Sequence, residues 1–126
     1  THWTVMKYGS DEAIEYPDEK IKAFFDKENE NKGLGFDNNV LPKVKKILRE
    51  LFAAVLRTHP EMKRDESRAV YGMDVMVDDQ CQVQLLEMTY CPDCGTITKF
   101  NPSFFNDLFN CLFLHKNNNF VSIFDE

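Results

Sequence analysis

Residues 67–93 read SRAVYGMDVMVDDQCQVQLLEMTYCPD. Two apolar runs, 67–77 and 82–89, flank a polar centre at Asp78-Asp79-Gln80-Cys81, the pattern of two antiparallel strands joined by a short turn. Each run is interrupted by one carboxylate, Asp74 in the first and Glu87 in the second. A carboxylate within an apolar strand needs a cation, a set of hydrogen bonds or a shifted pKa if it is buried. Register decides whether the two cooperate. With Asp79-Gln80 as a two-residue turn, Asp78 opposes Cys81, Asp74 opposes Leu85, and positions 74, 85, 87 and 89 share one face. Asp74 and Glu87 are then diagonal neighbours, about 7–8 Å apart at the backbone. That spacing lets both reach one hard cation or two adjacent ones, and oxygen-only ligation suits Mg²⁺. A three-residue turn places Glu87 on the opposite face and removes the site. The plainer alternative is that both carboxylates point to solvent or pair with Arg or Lys.

Upstream, LPKVKKILRELFAAVLRTH at 41–59 is the clearest helix. Val44, Ile47, Leu48, Leu51, Phe52 and Val55 recur at helical spacing, Pro42 suits the first turn and Pro60 stops the chain. Lys43, Lys45, Lys46, Arg49 and Arg57 lie mostly off that stripe, as a solvated face or as a contact for an acidic partner. Before it, residues 2–8 (HWTVMKY) read as a short strand and 9–18 as a polar turn. Pro17-Asp18 starts a helix through about Glu30 with Ile21, Phe24 and Phe25 as its stripe, and Asn29 to Asn39 reads as a loop. Downstream, Asn101-Pro102 opens a helix whose Phe105, Leu108, Phe109, Leu112 and Phe113 predict a wide face packed on the sheet, and FVSIF at 120–124 is a candidate last strand. The order is β, α, α, β, β, α, β, an α+β fold with a mixed or antiparallel sheet and about three helices.

The length, 126 residues, suits one domain, and 43% hydrophobic with 29% charged residues excludes collagen-like, coiled-coil and disordered chains. Apolar runs are too short for a membrane-spanning helix. Fifteen Lys and Arg against 21 Asp and Glu argue against a general nucleic-acid binder. The imbalance is local: residues 1–63 hold 11 basic and 11 acidic side chains, residues 64–126 hold 4 and 10. Cys81, Cys91, Cys94 and Cys111 are too few and too clustered for a secreted disulfide framework, and His2 to Lys7 lacks the apolar stretch of a signal peptide, which favours a reducing, intracellular setting. The chain opens on Thr1 within a strand-like stretch, so a fragment of something longer is expected.

The hairpin resembles the last hairpin of the ATP-grasp domain in the tubulin–tyrosine ligase-like family, whose pattern is Tyr-Gly-hydrophobic-Asp, then Leu-Leu-Glu-hydrophobic-Asn, then a small residue and Pro. HWTV at 2–5 is similar to that family's His-hydrophobic-Thr-Asn strand, and the helix NPSFFNDLFNCLFL follows in the family's order. Nearly the whole chain is covered, with 9–40 matching least. The resemblance implies that residues 1–126 are the C-terminal lobe of an ATP-grasp domain, incomplete at its N-terminus and inactive alone. It also implies a ligase that uses ATP and Mg²⁺ to join a free amino acid to tubulin through an acyl phosphate. Tubulin or microtubules are the implied partners, in the cytoplasm or on microtubules, with no nucleic acid and no membrane. Asp74, Glu87 and the residue at 89 match the family's metal ligands, while His2, Thr4 and Leu86 match positions near the nucleotide.

Two departures stand out. Thr89 replaces the family's Asn, and a hydroxyl is a poorer ligand than an amide carbonyl; Val5 replaces the Asn of the first strand and offers neither donor nor acceptor. They raise a second expectation, a catalytically weakened pseudo-ligase that binds nucleotide or tubulin and regulates tubulin modification. A third, a zinc or thiol module, rests on Cys91-Pro92-Asp93-Cys94, to which Cys81, Cys111, His59 and His115 are the obvious candidates to add ligands. His59 and His115 read otherwise as helix-end histidines.

Overall fold

The computed structural model describes residues 3–6, 13–16, 18–95, 97–116 and 119–124. Strand β1 (Trp3–Met6) pairs antiparallel with β2 (Ala13–Tyr16), with Trp3 opposite Tyr16 and Met6 opposite Ala13. The polar stretch expected as a turn thus contains a strand: Ala13, Ile14 and Tyr16 suffice for pairing once β1 supplies a partner. Helix α1 (Asp18–Asn29) follows at the expected place, with Ile21 and Phe25 half-buried and Phe24 exposed.

The segment expected as a loop contributes Phe36 to the core, and Val40 follows directly after it. After a 3₁₀ turn at Glu30–Lys32, capped by Gly33 at φ 64°, residues Phe36–Val40 form a π-helical turn leading into α2 (Leu41–Thr58). Its polar residues satisfy the backbone. The Phe36 N–H donates to Asp26 Oδ1 at 2.7 Å, and the Gly35 N–H to Asn39 Oδ1 at 2.8 Å. With that cost met, Phe36 and Val40 are buried against Cys81, ringed by Phe25, Leu34, Leu41, Val44, Val77 and Val83.

Strands β3 (Tyr71–Val77) and β4 (Val83–Tyr90) form the second antiparallel hairpin, so the sheet is two separate two-stranded pieces among the described residues, not one. Helix α2 packs on β4 with its apolar stripe half-covered. Two of its basic residues are tied inward, Lys43 Nζ donating to the Cys81 carbonyl at 2.7 Å and Arg49 Nη1 to the Ile123 carbonyl at 3.0 Å, whereas Lys46 lies 3.8 Å from Glu50 on an exposed face. Lys32 Nζ likewise donates to the Asp79 carbonyl at 2.9 Å.

A single-turn α3 (Ile97–Phe100) precedes α4 (Phe104–Leu114). The face expected to pack on the sheet is split. Phe104, Leu108 and Leu112 are half-buried, whereas Phe105, Phe109 and Phe113 are exposed. Residues 120–124 form no strand; Phe120 rests near Phe104, ring centroids 6.5 Å apart, and Ile123 is held by Arg49. His59 and His115 cap the ends of α2 and α4.

Candidate functional site

The hairpin turn is one residue longer than a two-residue turn. The Cys81 N–H donates to the Asp78 carbonyl at 3.1 Å, the Asp78 N–H to the Gln82 carbonyl at 3.0 Å, and Cys81 adopts φ 56°, so Asp79, Gln80 and Cys81 form a three-residue loop. Asp78 closes it by accepting the Gln80 and Gln82 N–H groups on Oδ1, at 2.9 and 2.7 Å. Burial of the Cys81 side chain holds a non-glycine residue in the left-handed region. Val77 then faces Val83 and Val75 faces Leu85.

Continued regularly, that register puts Asp74 opposite Leu86 and sends Glu87 to the other face. A β-bulge prevents it. The ladder shifts between Asp74 and Val75, Leu86 is the extra residue on β4, and Asp74 becomes the direct partner of Glu87. The expected diagonal with Leu85 facing Asp74 is corrected accordingly. Direct partners lie about 4.5–5.5 Å apart at Cα. Gly72 pairs with Thr89 two positions on, so Asp74, Glu87 and Thr89 share a face, and all three are exposed. Met76 and Leu86, 60% and 58% exposed, leave apolar surface beside them.

Thr89 Oγ1 donates to Glu87 Oε1 at 2.7 Å, a contact that a two-residue strand spacing makes readable but that the sequence reading did not name. Among the described residues no Lys, Arg or His forms an ion pair with Asp74 or Glu87. Two adjacent carboxylates without a counter-cation fit a hard divalent ion. Among the described residues no group of three or more His, Cys, Asp or Glu side chains comes together, so other oxygen atoms would have to complete a coordination shell. The same holds against zinc: among the described residues, Cys81, Cys91, Cys94 and Cys111 do not come together with His59 or His115 in a group of three or more such side chains.

Pro92 covers one end of this face. A Cβ placed on Gly72 would lie 2.9 Å from the Pro92 Cβ, so glycine is required for the loop after β4 to fold back. Asp74, Thr89, Asp93 and Cys94 border a cleft of about 620 Å³ whose other wall includes Leu48, Ile97 and Phe104. Of the remaining candidates, Thr4 and Val5 sit in β1 opposite Glu15 and Ile14, and His2 lies outside the described residues.

A small α+β chain presenting an adjacent Asp–Glu pair on a bulged hairpin now meets its relatives. The family model described as the tubulin-tyrosine ligase family matches residues 1–123, and the chain belongs to that family. It is similar to tubulin–tyrosine ligase-like protein 12 of Mus musculus, 32% identical over 132 residues covering 94% of this chain and 20% of that protein. The Homo sapiens protein of the same name is 31% identical over 127 residues, covering 90% of this chain and 19% of its own length. The chain thus spans about a fifth of the length of these curated relatives. No solved structure gives a significant match. Among the described residues, no helix is long and apolar enough to cross a membrane.

Proposed function

We propose that this chain is the C-terminal lobe of an ATP-grasp domain in a ligase-like protein that acts on tubulin, and that Asp74 and Glu87 hold Mg²⁺ for ATP. The observation that carries the reading is the direct pairing of the two carboxylates on an open face with no counter-cation among the described residues. Mg²⁺ is typically held by one or two carboxylates plus substrate phosphates, which suits a donor set of this size. The bound ion would neutralise phosphate charge. The chain's own part is positional. The bulge aims Glu87 at Asp74, Thr89 orients one Glu87 oxygen, and the exposed Leu86 offers an apolar surface for the nucleotide base. Thr4 of the first strand, and His2 shortly before it in sequence, would serve the nucleotide. Tubulin and, where ligation occurs, a free amino acid are the partners, in the cytoplasm or on microtubules.

A second reading, the weakened pseudo-ligase that binds nucleotide or tubulin and regulates modification, is favoured by the Thr89 contact. The hydroxyl donates its proton to Glu87, where an amide carbonyl could offer a lone pair to the cation.

Calorimetric titration of Mg²⁺–ATP into the intact parent protein tests the proposal. Glu87→Gln removes one charge and keeps an acceptor for Thr89, so it should weaken binding about tenfold with the fold intact. Leu86→Ala should weaken ATP binding a few-fold without loss of stability, since the side chain is exposed. Unchanged affinity in Glu87→Gln would remove the metal assignment. Binding without ligation of any amino acid to tubulin would select the second reading.

A further inference from the structure

The loop after β4 carries the chain's one Cys-x-x-Cys spacing, and the proposed Mg²⁺ site uses neither thiol. Cys91 and Cys94 flank Pro92-Asp93 and both are free thiols. Cys91 is exposed; Cys94 is half-buried and borders the same cleft as Asp74 and Thr89. Cys91 adopts φ 50°, in the left-handed region that non-glycine residues seldom occupy. At Cys81 burial compensates for that conformation. Cys91 is exposed, so burial offers it no such compensation, and its N–H is engaged by the Val70 carbonyl at 3.0 Å.

The segment between the two thiols folds back on itself. Pro92 lies over Gly72, the Gly95 N–H donates to Asp93 Oδ1 at 2.8 Å, and the Cys94 thiol donates to the Pro92 carbonyl at 3.4 Å, one residue from Cys91. Cα atoms three positions apart reach about 10–11 Å in a fully extended chain, and a disulfide forms at about 4.4–6.8 Å, so closing the bond asks only for bending of the loop. Both cysteines lie beyond Tyr90, the last residue of β4, so the hairpin stays paired. A disulfide across so short a loop removes little chain entropy from the unfolded state, which keeps it easy to reduce.

We infer that Cys91 and Cys94 are a reversible, hydroperoxide-sensitive dithiol whose disulfide fixes the loop bordering the carboxylate face. The exposed Cys91 sulfur attacks one oxygen of the hydroperoxide. The O–O bond breaks, the thiol proton goes to the departing oxygen, and Cys91 becomes a sulfenic acid. The Cys94 sulfur then displaces the sulfenic hydroxyl, which leaves as water with the Cys94 proton. The two thiols are oxidised to one disulfide, and the hydroperoxide is reduced to an alcohol and water. A small dithiol reverses the bond by exchange and is itself oxidised to a disulfide. Pro92, Asp93 and Cys94 all border the cleft, so the state of the bond sets how freely that border moves. The inference does not rest on the Mg²⁺ reading.

Treatment of the intact, reduced protein with hydrogen peroxide, followed by alkylation and peptide mass mapping, tests it. The peptide holding residues 91–94 should lose the mass of two hydrogens and both of its alkylation sites, and dithiothreitol should restore them. Cys94→Ser should stop the reaction at a Cys91 sulfenic acid that dimedone traps, while Cys91→Ser should leave Cys94 reduced. Amide exchange at Asp93 and Cys94 should slow several-fold on oxidation of the unmodified protein, and exchange at Asp93 should not change in Cys94→Ser. Oxidation of Cys91 to a sulfinic acid with Cys94 present and still reduced would overturn the inference. So would a disulfide formed between molecules, oxidation of Cys111 at the same rate as Cys91, or exchange along the loop that oxidation leaves unchanged.

Discussion

Asp74 and Glu87 face each other across the hairpin because two irregularities cancel. Cys81 adds one residue to the turn and Leu86 adds one to β4, so the two carboxylates return to a common face as direct partners. Either change alone would have separated them.

The departures from the family pattern yield the first prediction. In the intact protein, Thr89→Asn frees the Glu87 oxygen that Thr89 now holds and supplies an amide carbonyl, and Val5→Asn restores a polar group on β1. The double variant should raise ATP turnover or amino-acid ligation above the unmodified protein. No increase, with Glu87→Gln still impairing ATP binding, would locate the weakness outside these two positions.

Gly72 is held to glycine by Pro92. Gly72→Ala should destabilise the fold by about 1–3 kcal/mol in chemical denaturation, because the new methyl group meets the proline ring. Pro92→Gly removes the obstructing atom, so a double-mutant cycle should recover a large part of that loss. Additive losses would show that the contact is relieved by movement of the loop.

Asp107 accepts from Ser103 Oγ and from Asn119 Nδ2, both at 2.7 Å. These bonds, Ser103 first, hold its carboxyl below the ordinary range against a small opposing effect of burial. A depressed folded-state pKa gives a contribution present above the unfolded value and lost as pH falls through the folded one. The Asn119 side-chain amide signal should therefore shift in acid with a midpoint below that of an ordinary aspartate, and Ser103→Ala should move the midpoint upward.

Val40 is 1% exposed at the centre of the core. Val40→Ala should cost about 2 kcal/mol by equilibrium denaturation, while Phe24→Ala, at a side chain 64% exposed, should cost well under 1 kcal/mol. Equal losses would mean that the core is centred elsewhere.

Periodicity made α1, α2, β3 and β4 legible, since each buries one face at a regular spacing. Three things escaped it. The core segment Phe36–Val40 carries only two large apolar residues among Asn and Asp, and its burial depends on Asp26 and Asn39 satisfying its backbone, a tertiary fact. Strand β2 depends on a partner. The split of α4 reverses an inference that apolar residues must be covered, although Phe105 and Phe109 stay exposed among the described residues. At the site, the residue types and their common face were readable from sequence. The route to that face was not: a left-handed Cys81 and a bulge at Leu86 have no simple sequence mark, although Asp78-Asp79 announces a turn.

The hairpin tip closes on groups far upstream. Cys81 is buried against Phe36 and Val40, its carbonyl receives Lys43, and the Asp79 carbonyl receives Lys32. The turn that sets the register of the carboxylate pair is therefore not a self-contained local unit. Its support comes from residues 38 and 47 positions away in the chain, loop closures whose entropic cost rises only slowly with length. A substitution that disturbs the core around Phe36 and Val40 therefore also removes support from the turn that aligns Asp74 with Glu87.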